Sequence, residues 1–300
     1  MGLSVVAMLG VFPVSAQPTQ GLLREVYEGI GGGTVSDLMA ADIFPDSPTQ
    51  TNYVSELFEA PTDVLENYGQ RLRGYLVPPV TGNYTFWIAS DDGSELWLST
   101  DDSPARRKRI ATVNEWTASR EWTKEANQSS EPIALNSGQL YYVEALMKEG
   151  GGGDNLAVRW LRPDGVDEGP IPGAHLLPWG IALKAPSVLR GPQNTNAVEG
   201  QVARFDVILD PLGPAQFQWR RNGASIPGAT NRVLDYFPVS LADHNASFSV
   251  ALANTFGSAV SGGATLSVVP DTTRPSLTWV ENRSAVALRV QFSESVAVAS

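Results

Sequence analysis

Short strand-like segments follow one another along this chain, and they constrain its fold more than any other feature. The clearest cover residues 74–77, 84–89, 95–99, 140–146 and 156–160, which are rich in aromatic and β-branched residues and bounded by Gly, Pro, Asn and Asp. No long amphipathic helical pattern lies between them. The 28 glycines and 21 prolines, with charged residues at only 18%, are also typical of loop-rich β-structure. The sequence therefore predicts an all-β protein.

The chain length of 300 residues is enough for two or three domains. Strand spacing and turn residues predict a first domain at residues 21–179 and a second at 184–269. Residues 271–300 hold two further strand candidates, at 277–280 and 285–292, but they are too few for an independent core. We therefore expect the start of a third, incomplete β domain, in a chain that is either part of a longer protein or a truncated gene product.

The first 16 residues have the pattern of a secretory signal peptide. An apolar run ends in Val14, Ser15 and Ala16, which has the small-x-small form of a signal-peptidase site, and it is too short for a comfortable transmembrane helix. The basic residue that usually precedes such a run is missing. We expect cleavage after Ala16 and export, and no later segment is long and apolar enough to span a membrane.

Net charge and cysteine content exclude several classes of binding partner and of catalytic or metal site. The formal net charge of −11 argues against nucleic acid, because phosphate binding needs a concentrated basic face. The dense basic run Arg-Arg-Lys-Arg at residues 106–109 is either a solvated loop or a site of protease processing or polyanion contact. Because the chain has no cysteine, thiolate zinc sites and cysteine nucleophiles are excluded.

The sequence gives little support to a catalytic site. His175 and His244 lie in different predicted domains, and no nucleophile-elbow or HExxH motif accompanies them. The adjacent carboxylates of Asp91 and Asp92 cannot readily flank a scissile glycosidic bond. Three glutamates could supply a second acid, and nothing in the sequence distinguishes them: Glu95, Glu144 and Glu149. We therefore expect a binding protein and not an enzyme.

Asp91 and Asp92 are nevertheless the most informative polar residues of the first domain. They end one strand-like segment and precede another, in the run Ala-Ser-Asp-Asp-Gly-Ser at residues 89–94. Adjacent carboxylates on a loop are hard oxygen ligands of the kind that Ca²⁺ prefers, and a cation would neutralise them. Asp-Asp-Gly is also a good turn sequence between two strands. On these residues alone both interpretations stay open.

Several ordered motifs give residues 21–179 a close resemblance to the PA14 domain, a β-barrel-like sandwich. The first motifs are Gly-Leu-Leu-Arg-Glu-Val-Tyr at 21–27 and Leu-Arg-Gly-Tyr-Leu at 72–76. The central ones are Gly-Asn-Tyr-Thr-Phe at 82–86 and Ser-Asp-Asp-Gly-Ser-Glu-Leu-Trp-Leu at 90–98. Tyr-Tyr-Val-Glu-Ala at 141–145 and Glu-Gly-Gly-Gly-Gly-Asp-Asn-Leu at 149–156 complete the set. The resemblance implies the same sandwich fold for this domain.

The resemblance also implies a calcium site. In sugar-binding PA14 relatives a consecutive Asp pair joined by a cis peptide holds Ca²⁺, and the vicinal hydroxyls of the sugar complete the coordination. A second loop adds an Asn or Asp side chain and backbone carbonyls. By motif the pair is Asp91 and Asp92, and the second loop is residues 150–155, with Asn155 the preferred side-chain ligand and Asp154 a further candidate. Four consecutive glycines in that loop permit positive φ and close backbone approach.

The second domain resembles immunoglobulin-like domains of bacterial extracellular proteins. Trp219 takes the place of the central-strand tryptophan of that fold. Val250 stands where the second cysteine would be, and Phe205 or Val207 stands near the first, so apolar packing against the tryptophan replaces the disulfide. Phe248, near the tyrosine-corner position, lacks the corner hydroxyl. We expect a spacer here, and the start of a further Ig-like unit after it.

Taken together, these observations predict a non-catalytic, calcium-dependent carbohydrate-binding protein. Its expected partners are glycans or glycoconjugates, its expected cofactor is Ca²⁺, and its expected location is outside a bacterial cell or on its surface, as an adhesin-like protein. Trp116 and Trp122, in the loop-like stretch 114–124, are the candidate sugar-contacting aromatics. Two other functions stay open: a structural or assembly module without a sugar site, and an accessory module of a secreted glycoside hydrolase.

Overall fold

A computed structural model describes residues 18–254, 256–273, 276–284 and 287–292 of the chain. The all-β prediction is confirmed, since strands dominate these residues and the α-helix among them is a single short one, α1 at Val35–Met39. The proposed signal peptide at residues 1–16 lies outside the described residues. Among the described residues, no helix has the length and apolarity needed to cross a membrane.

Eleven strands make up the first domain. They are β1 Leu22–Glu28, β2 Gln50–Val54, β3 Tyr68–Leu76, β4 Gly82–Asp91, β5 Ser94–Leu98, β6 Lys108–Val113, β7 Ile133–Leu135, β8 Tyr141–Glu149, β9 Asn155–Leu161, β10 Asp167–Glu168 and β11 Leu176–Pro178. Short 3-10 turns lie at Pro104–Arg106, Ala126–Gln128 and Gly173–His175.

These strands form two antiparallel sheets. The larger has the order β2-β1-β3-β8-β5-β6, with β11 also on β3, and the smaller has the order β10-β9-β4-β7. Within the described residues both sheets end in free edge strands, so the predicted sandwich is present but it is not closed into a barrel. The sheets close on a core that includes Phe86, Ile88 and Trp160 from the smaller sheet.

Strand β8 shows how the sequence positions this core. Tyr141, Val143, Ala145 and Met147 alternate along it and all belong to the inter-sheet core, as the two-residue period of a strand requires. The opposite face of β8 is also buried, because α1 and the loops cover it; Leu146, for example, packs in a second cluster with Val35 and Leu38. A strand buried on both faces brings its last residue, Glu149, to the end of the core.

The second domain has its own strands and hydrophobic core. The strands are β12 Val188–Arg190, β13 Thr195–Val198, β14 Ala203–Asp206, β15 Ile208–Leu209, β16 Gln216–Arg221, β17 Ala224–Ser225, β18 Val233–Tyr236, β19 Ser247–Asn254, β20 Gly257–Val260 and β21 Ala264–Val269. A further 3-10 turn lies at Leu241–Asp243. Beyond them, β22 Leu277–Ser284 and β23 Ala287–Phe292 pair as a hairpin.

Aromatic and aliphatic side chains fill the second core where the sequence analysis placed them. Trp219 is fully buried, its ring centroid 6.3 Å from that of Phe205, and Phe205 stacks on Phe248 at 4.5 Å. Val207 and Val250 are also fully buried in the same cluster. This core needs no disulfide, because its centre is packed with apolar groups.

The two domains meet in a close seam. The Thr81 backbone N–H donates to Asn231 Oδ1 at 3.0 Å, and Gln216 Nε2 donates to Gln139 Oε1 at 3.0 Å. Gly138 has φ +71°, and a Cβ there would lie 1.7 Å from the Ala215 carbonyl oxygen. Only glycine therefore allows this approach of the two backbones.

A candidate cation and ligand site

Three strand ends of the first domain converge on one site. Strand β4 ends at Asp91, β9 begins at Asn155, and the antiparallel register places these two residues directly opposite each other. Strand β8 ends at Glu149, which lies near them. The sheets therefore bring together the Asp pair and the second loop that the sequence analysis singled out.

The Asp pair is held by backbone contacts. The Asp91–Asp92 peptide is cis. Ser90 Oγ donates to the Asp92 carbonyl oxygen at 2.7 Å, and the Gly150 N–H donates to Asp92 Oδ2 at 3.0 Å. Both aspartates are half-buried. Burial raises the pKa of Asp91, and the negative charge of Asp92 raises it further.

Glu149 adds a third carboxylate to the Asp pair. One oxygen of each of Asp91, Asp92 and Glu149 lies within 4.8 Å of the others, and we call these three residues the acidic cluster. Glu149 is fully buried, and neither of its carboxylate oxygens has a hydrogen-bond partner among the described residues. Burial raises the pKa of Glu149 to about 7, and the charges of Asp92 and Asp91 act in the same direction.

The second loop contributes Asn155 and Asp154 in different ways. Asn155 Nδ2 donates to the Thr117 carbonyl oxygen at 3.1 Å, which leaves the buried Oδ1 without a partner among the described groups. Asp154 uses Oδ2 to accept from the N–H groups of Val64 and Leu65, at 2.8 and 3.1 Å. Asp154 Oδ1 is likewise buried without a partner among the described groups. Each of the two residues therefore keeps one unpartnered oxygen, and Asp154 also holds a neighbouring loop through Oδ2.

Glycines let these loops close on the Asp92 carboxylate. A Cβ at Gly33 would lie 2.9 Å from Asp92 Oδ2, and a Cβ at Gly150 would lie 3.2 Å from the same atom. The Gly152 N–H donates to Glu66 Oε2 at 2.8 Å, which ties the tip of the loop to the segment before β3. Side chains at the first two positions would push the loops away from the carboxylate.

Lys124 and Lys148 are close enough to attract members of the acidic cluster, but neither forms an ion pair with it among the described residues. None of the ion pairs among the described residues includes a member of the cluster. The Lys148 ammonium instead donates to the backbone oxygens of Gly32 and Glu149. Three carboxylates and one amide oxygen are a set of hard acceptors, and such a set suits a cation like Ca²⁺.

The tryptophans are distributed between surface and core. Trp116 is 47% exposed, and its backbone forms a β-bridge with Asp91, so the residue lies next to the site. Lys124 Nζ lies over that ring, 2.9 Å from its centroid. Trp122 is half-buried in the same loop. Trp160 is fully buried, as expected for a strand position, whereas Trp87 is only half-buried and lies beneath the Arg159 guanidinium.

Sequence reasoning did not identify Glu149 as a member of the site. The signal was nevertheless present, because the two-residue period that puts Tyr141 and Met147 into the core also points Glu149 between the sheets. The approach of Gly33 had no such local signal, since residues 29–33 reach the site from a distant part of the chain.

The two histidines lie away from the acidic cluster. The His175 ring packs against that of Trp160 at a tilt of 49°, with centroids 5.3 Å apart, and its Nε2 lies 3.6 Å from Glu168. His244 Nδ1 accepts from the Val268 N–H in the second domain. These positions are consistent with structural roles and assemble no acid–base pair with the cluster.

The basic run at 106–109 is largely paired. Arg106 lies 2.6 Å from Asp101, and Arg107 lies 3.5 Å from Glu144. Arg109 forms an ion pair with a third carboxylate, that of Glu95. The arginines therefore face carboxylates of their own domain.

A family model described as the PA14 domain matches residues 19–174 of the chain. Among curated proteins, the mouse N-acetyl-beta-glucosaminyl-glycoprotein 4-beta-N-acetylgalactosaminyltransferase 1 is 39% identical over 140 residues, which are 45% of this chain and 13% of that protein. Mouse fibrocystin is 32% identical over 112 residues, covering 32% of this chain and 3% of that protein. The chain thus spans only a small part of the length of these relatives.

Solved structures with similar folds include the PA14 sugar-binding domain from an RTX adhesin. The match covers 53% of this chain and 98% of that one, at 16% identity and a TM-score of 0.41. The Epithelial Adhesin 6 A domain from Candida glabrata, solved in complex with Galb1-3GlcNAc, matches 55% of this chain and 89% of that one, at 15% identity and a TM-score of 0.37.

Proposed function

This chain belongs to the PA14 domain family, and we propose that its first domain is a non-catalytic module that binds carbohydrate with the help of Ca²⁺. The observation that supports this proposal is the arrangement of oxygen ligands around the Asp pair. The strand register places Asn155, whose buried amide oxygen has no partner among the described groups, opposite the half-buried Asp91 and next to Asp92 at one end of the sandwich. Buried acceptors without donors are costly unless a cation binds them.

In this proposal Asp91, Asp92 and Asn155 hold the ion. Bound Ca²⁺ supplies open coordination positions for a pair of vicinal sugar hydroxyls, because it accepts six to eight oxygen ligands. The chain's own residues set the frame: the Gly150 N–H orients one oxygen of Asp92, and the Thr117 carbonyl orients the Asn155 amide. The exposed ring of Trp116 offers an apolar face beside the site, against which a sugar ring can pack.

The module is proposed to act outside the cell, with the second domain as an immunoglobulin-like spacer. Hydrogen bonds and the close approach at Gly138 hold the second domain against the first, at the seam described above. The transferase that matches this chain does so over 13% of its length, so its activity is not carried over to this chain.

A glycan array with and without chelator tests the proposal. We expect the wild-type chain to bind a subset of glycans in millimolar Ca²⁺ and to lose that binding in EDTA. The double variant Asp91→Asn, Asp92→Asn should lose binding in both conditions, because neutral amides cannot replace two carboxylates as calcium ligands.

The chain offers a matched control in its other Asp-Asp pair. Asp101 and Asp102 lie in a loop of the same domain, and Asp101 pairs with Arg106 away from the acidic cluster. The variant Asp101→Asn, Asp102→Asn should therefore keep calcium-dependent binding. Binding that survives EDTA would refute the calcium dependence, and no binding to any glycan in Ca²⁺ would favour the structural-module alternative.

A further inference from the structure

Glu149 is buried at the end of the core, and its carboxylate forms no ion pair among the described residues. It is the last residue of β8 and shares the inward face of that strand with Tyr141 and Met147. Its side chain is fully buried, and both carboxylate oxygens lack hydrogen-bond partners among the described residues. A carboxylate in such surroundings is strongly disfavoured unless something of positive charge joins it.

Lys148, the neighbouring basic residue, does not form an ion pair with the Glu149 carboxylate. Lys148 follows the alternation of β8 and belongs to the opposite face of the strand. Its ammonium donates to two backbone oxygens, those of Gly32 and of Glu149 itself. The ammonium attracts Glu149 and Asp92, but it forms no ion pair with them among the described residues, and the charges of Asp92 and Asp91 repel the Glu149 carboxylate.

We infer that Glu149 is a third anionic ligand of the cation site and that its carboxylate makes the cation-free first domain less stable than the same fold with a neutral side chain there. This inference rests on the proposed calcium site. With Glu149 included, the site has three carboxylates and the Asn155 amide oxygen. Glu149 thus adds a third negative charge to the two that Asp91 and Asp92 offer a divalent ion.

This assignment has an unusual consequence for stability. Replacing Glu149 with glutamine removes a buried charge and nearly preserves the side-chain volume. Without calcium the variant should therefore be more stable than the wild type, because the repulsion within the acidic cluster is relieved. With calcium the order should reverse, because the wild type gains more from binding the ion.

The experiment compares melting temperatures and calcium affinities of the wild-type chain and Glu149→Gln, at pH 8 so that the carboxylates are ionised. In EDTA we expect a higher Tm for the variant. In saturating Ca²⁺ we expect a lower one. By titration calorimetry with CaCl₂ we expect the variant to bind at least about tenfold more weakly, as is typical for loss of a residue that shapes a metal site.

Glu144 provides the matched control on the same strand. It is also buried, but it faces the other side of β8 and is engaged by the Tyr142 hydroxyl and by Arg107. Glu144→Gln should lower Tm both in EDTA and in Ca²⁺ and should leave the calcium affinity within about twofold, since it removes a paired charge remote from the ligand set.

The outcomes separate the two proposals. If the wild type binds no calcium, the calcium site fails and this inference fails with it. If the wild type binds calcium and Glu149→Gln binds it equally well, the calcium site stands and Glu149 is not a ligand. A Glu149→Gln variant that is less stable than the wild type in EDTA, or that does not fold there, would also overturn the inference.

Discussion

At the scale of single side chains, the adjacent residues Asp154 and Asn155 of the second loop differ in their contacts. Asn155 Oδ1 and Asp154 Oδ1 are both buried without partners among the described groups, but Asp154 also accepts two backbone N–H groups, those of Val64 and Leu65, through its other oxygen. The sequence motif gave Asn155 as the preferred ligand and Asp154 as a further candidate. It could not show that Asp154 also holds a loop, because the partners of Asp154 lie about ninety residues earlier in the chain.

Asp154→Asn tests this difference. The amide is a weaker acceptor than the carboxylate for the N–H groups of Val64 and Leu65, so we expect a loss of about 1–2 kcal/mol in the free energy of unfolding, measured with urea. Calcium affinity should fall by less than about threefold. A variant with unchanged stability that no longer binds calcium would show instead that Asp154 is a ligand.

At the scale of strands, much of the architecture could be predicted, because the alternation of apolar residues along a strand can be read from a short stretch of sequence. The two-residue period along β8 places Tyr141, Val143 and Ala145 in the core, and the same period places Glu149 in the site. The burial of the other face of β8 could not be predicted, since it depends on α1 and the loop at 29–33, which are remote in sequence. The open edges of the sandwich also depend on pairing between segments that are remote in sequence, so they could not be predicted from the sequence.

The turn before β11 carries a pH-dependent contribution to stability. Burial lowers the pKa of His175 below its ordinary value of 6.5; Glu168 opposes this shift, and Arg162 and Arg232 reinforce it. The unfolded chain therefore takes up a proton at higher pH than the folded chain. Stability from this group is fully present above about pH 6.5 and is lost as the pH falls below that value.

His175→Gln should flatten this dependence. Urea unfolding at pH 7.5 and pH 5.5 should show a smaller loss of stability in the variant than in the wild type, whatever the absolute stability of each. Parallel changes in the two proteins would mean that His175 does not contribute to the pH dependence.

At the scale of the whole molecule, the candidate site and the interdomain seam lie at opposite ends of the first domain. Strand β4 runs from Gly82, next to the seam residue Thr81, to Asp91 in the site. Its ten residues span roughly 30 Å at about 3.3 Å per residue. The acidic cluster therefore faces away from the second domain, which is the arrangement expected if the second domain presents the first to a distant ligand.

Gly138 and Gly165 form a matched pair for testing the seam. Both have positive φ, +71° and +81°, so alanine costs about 1–2 kcal/mol of backbone strain at either position. Only Gly138 abuts the second domain, at the Ala215 carbonyl, whereas nothing lies within 4 Å of a Cβ at Gly165. Gly138→Ala should therefore destabilise the chain more and increase its radius of gyration in small-angle scattering. Equal effects of the two substitutions would contradict the close seam.

A calorimetric titration of CaCl₂ into the EDTA-stripped wild-type chain tests whether the Asp91–Asp92 site binds calcium. We expect a saturable site with a stoichiometry near one ion per chain, and its loss in the double variant Asp91→Asn, Asp92→Asn. A wild-type titration with no heat beyond dilution, or a double variant that binds calcium as the wild type does, would contradict this expectation.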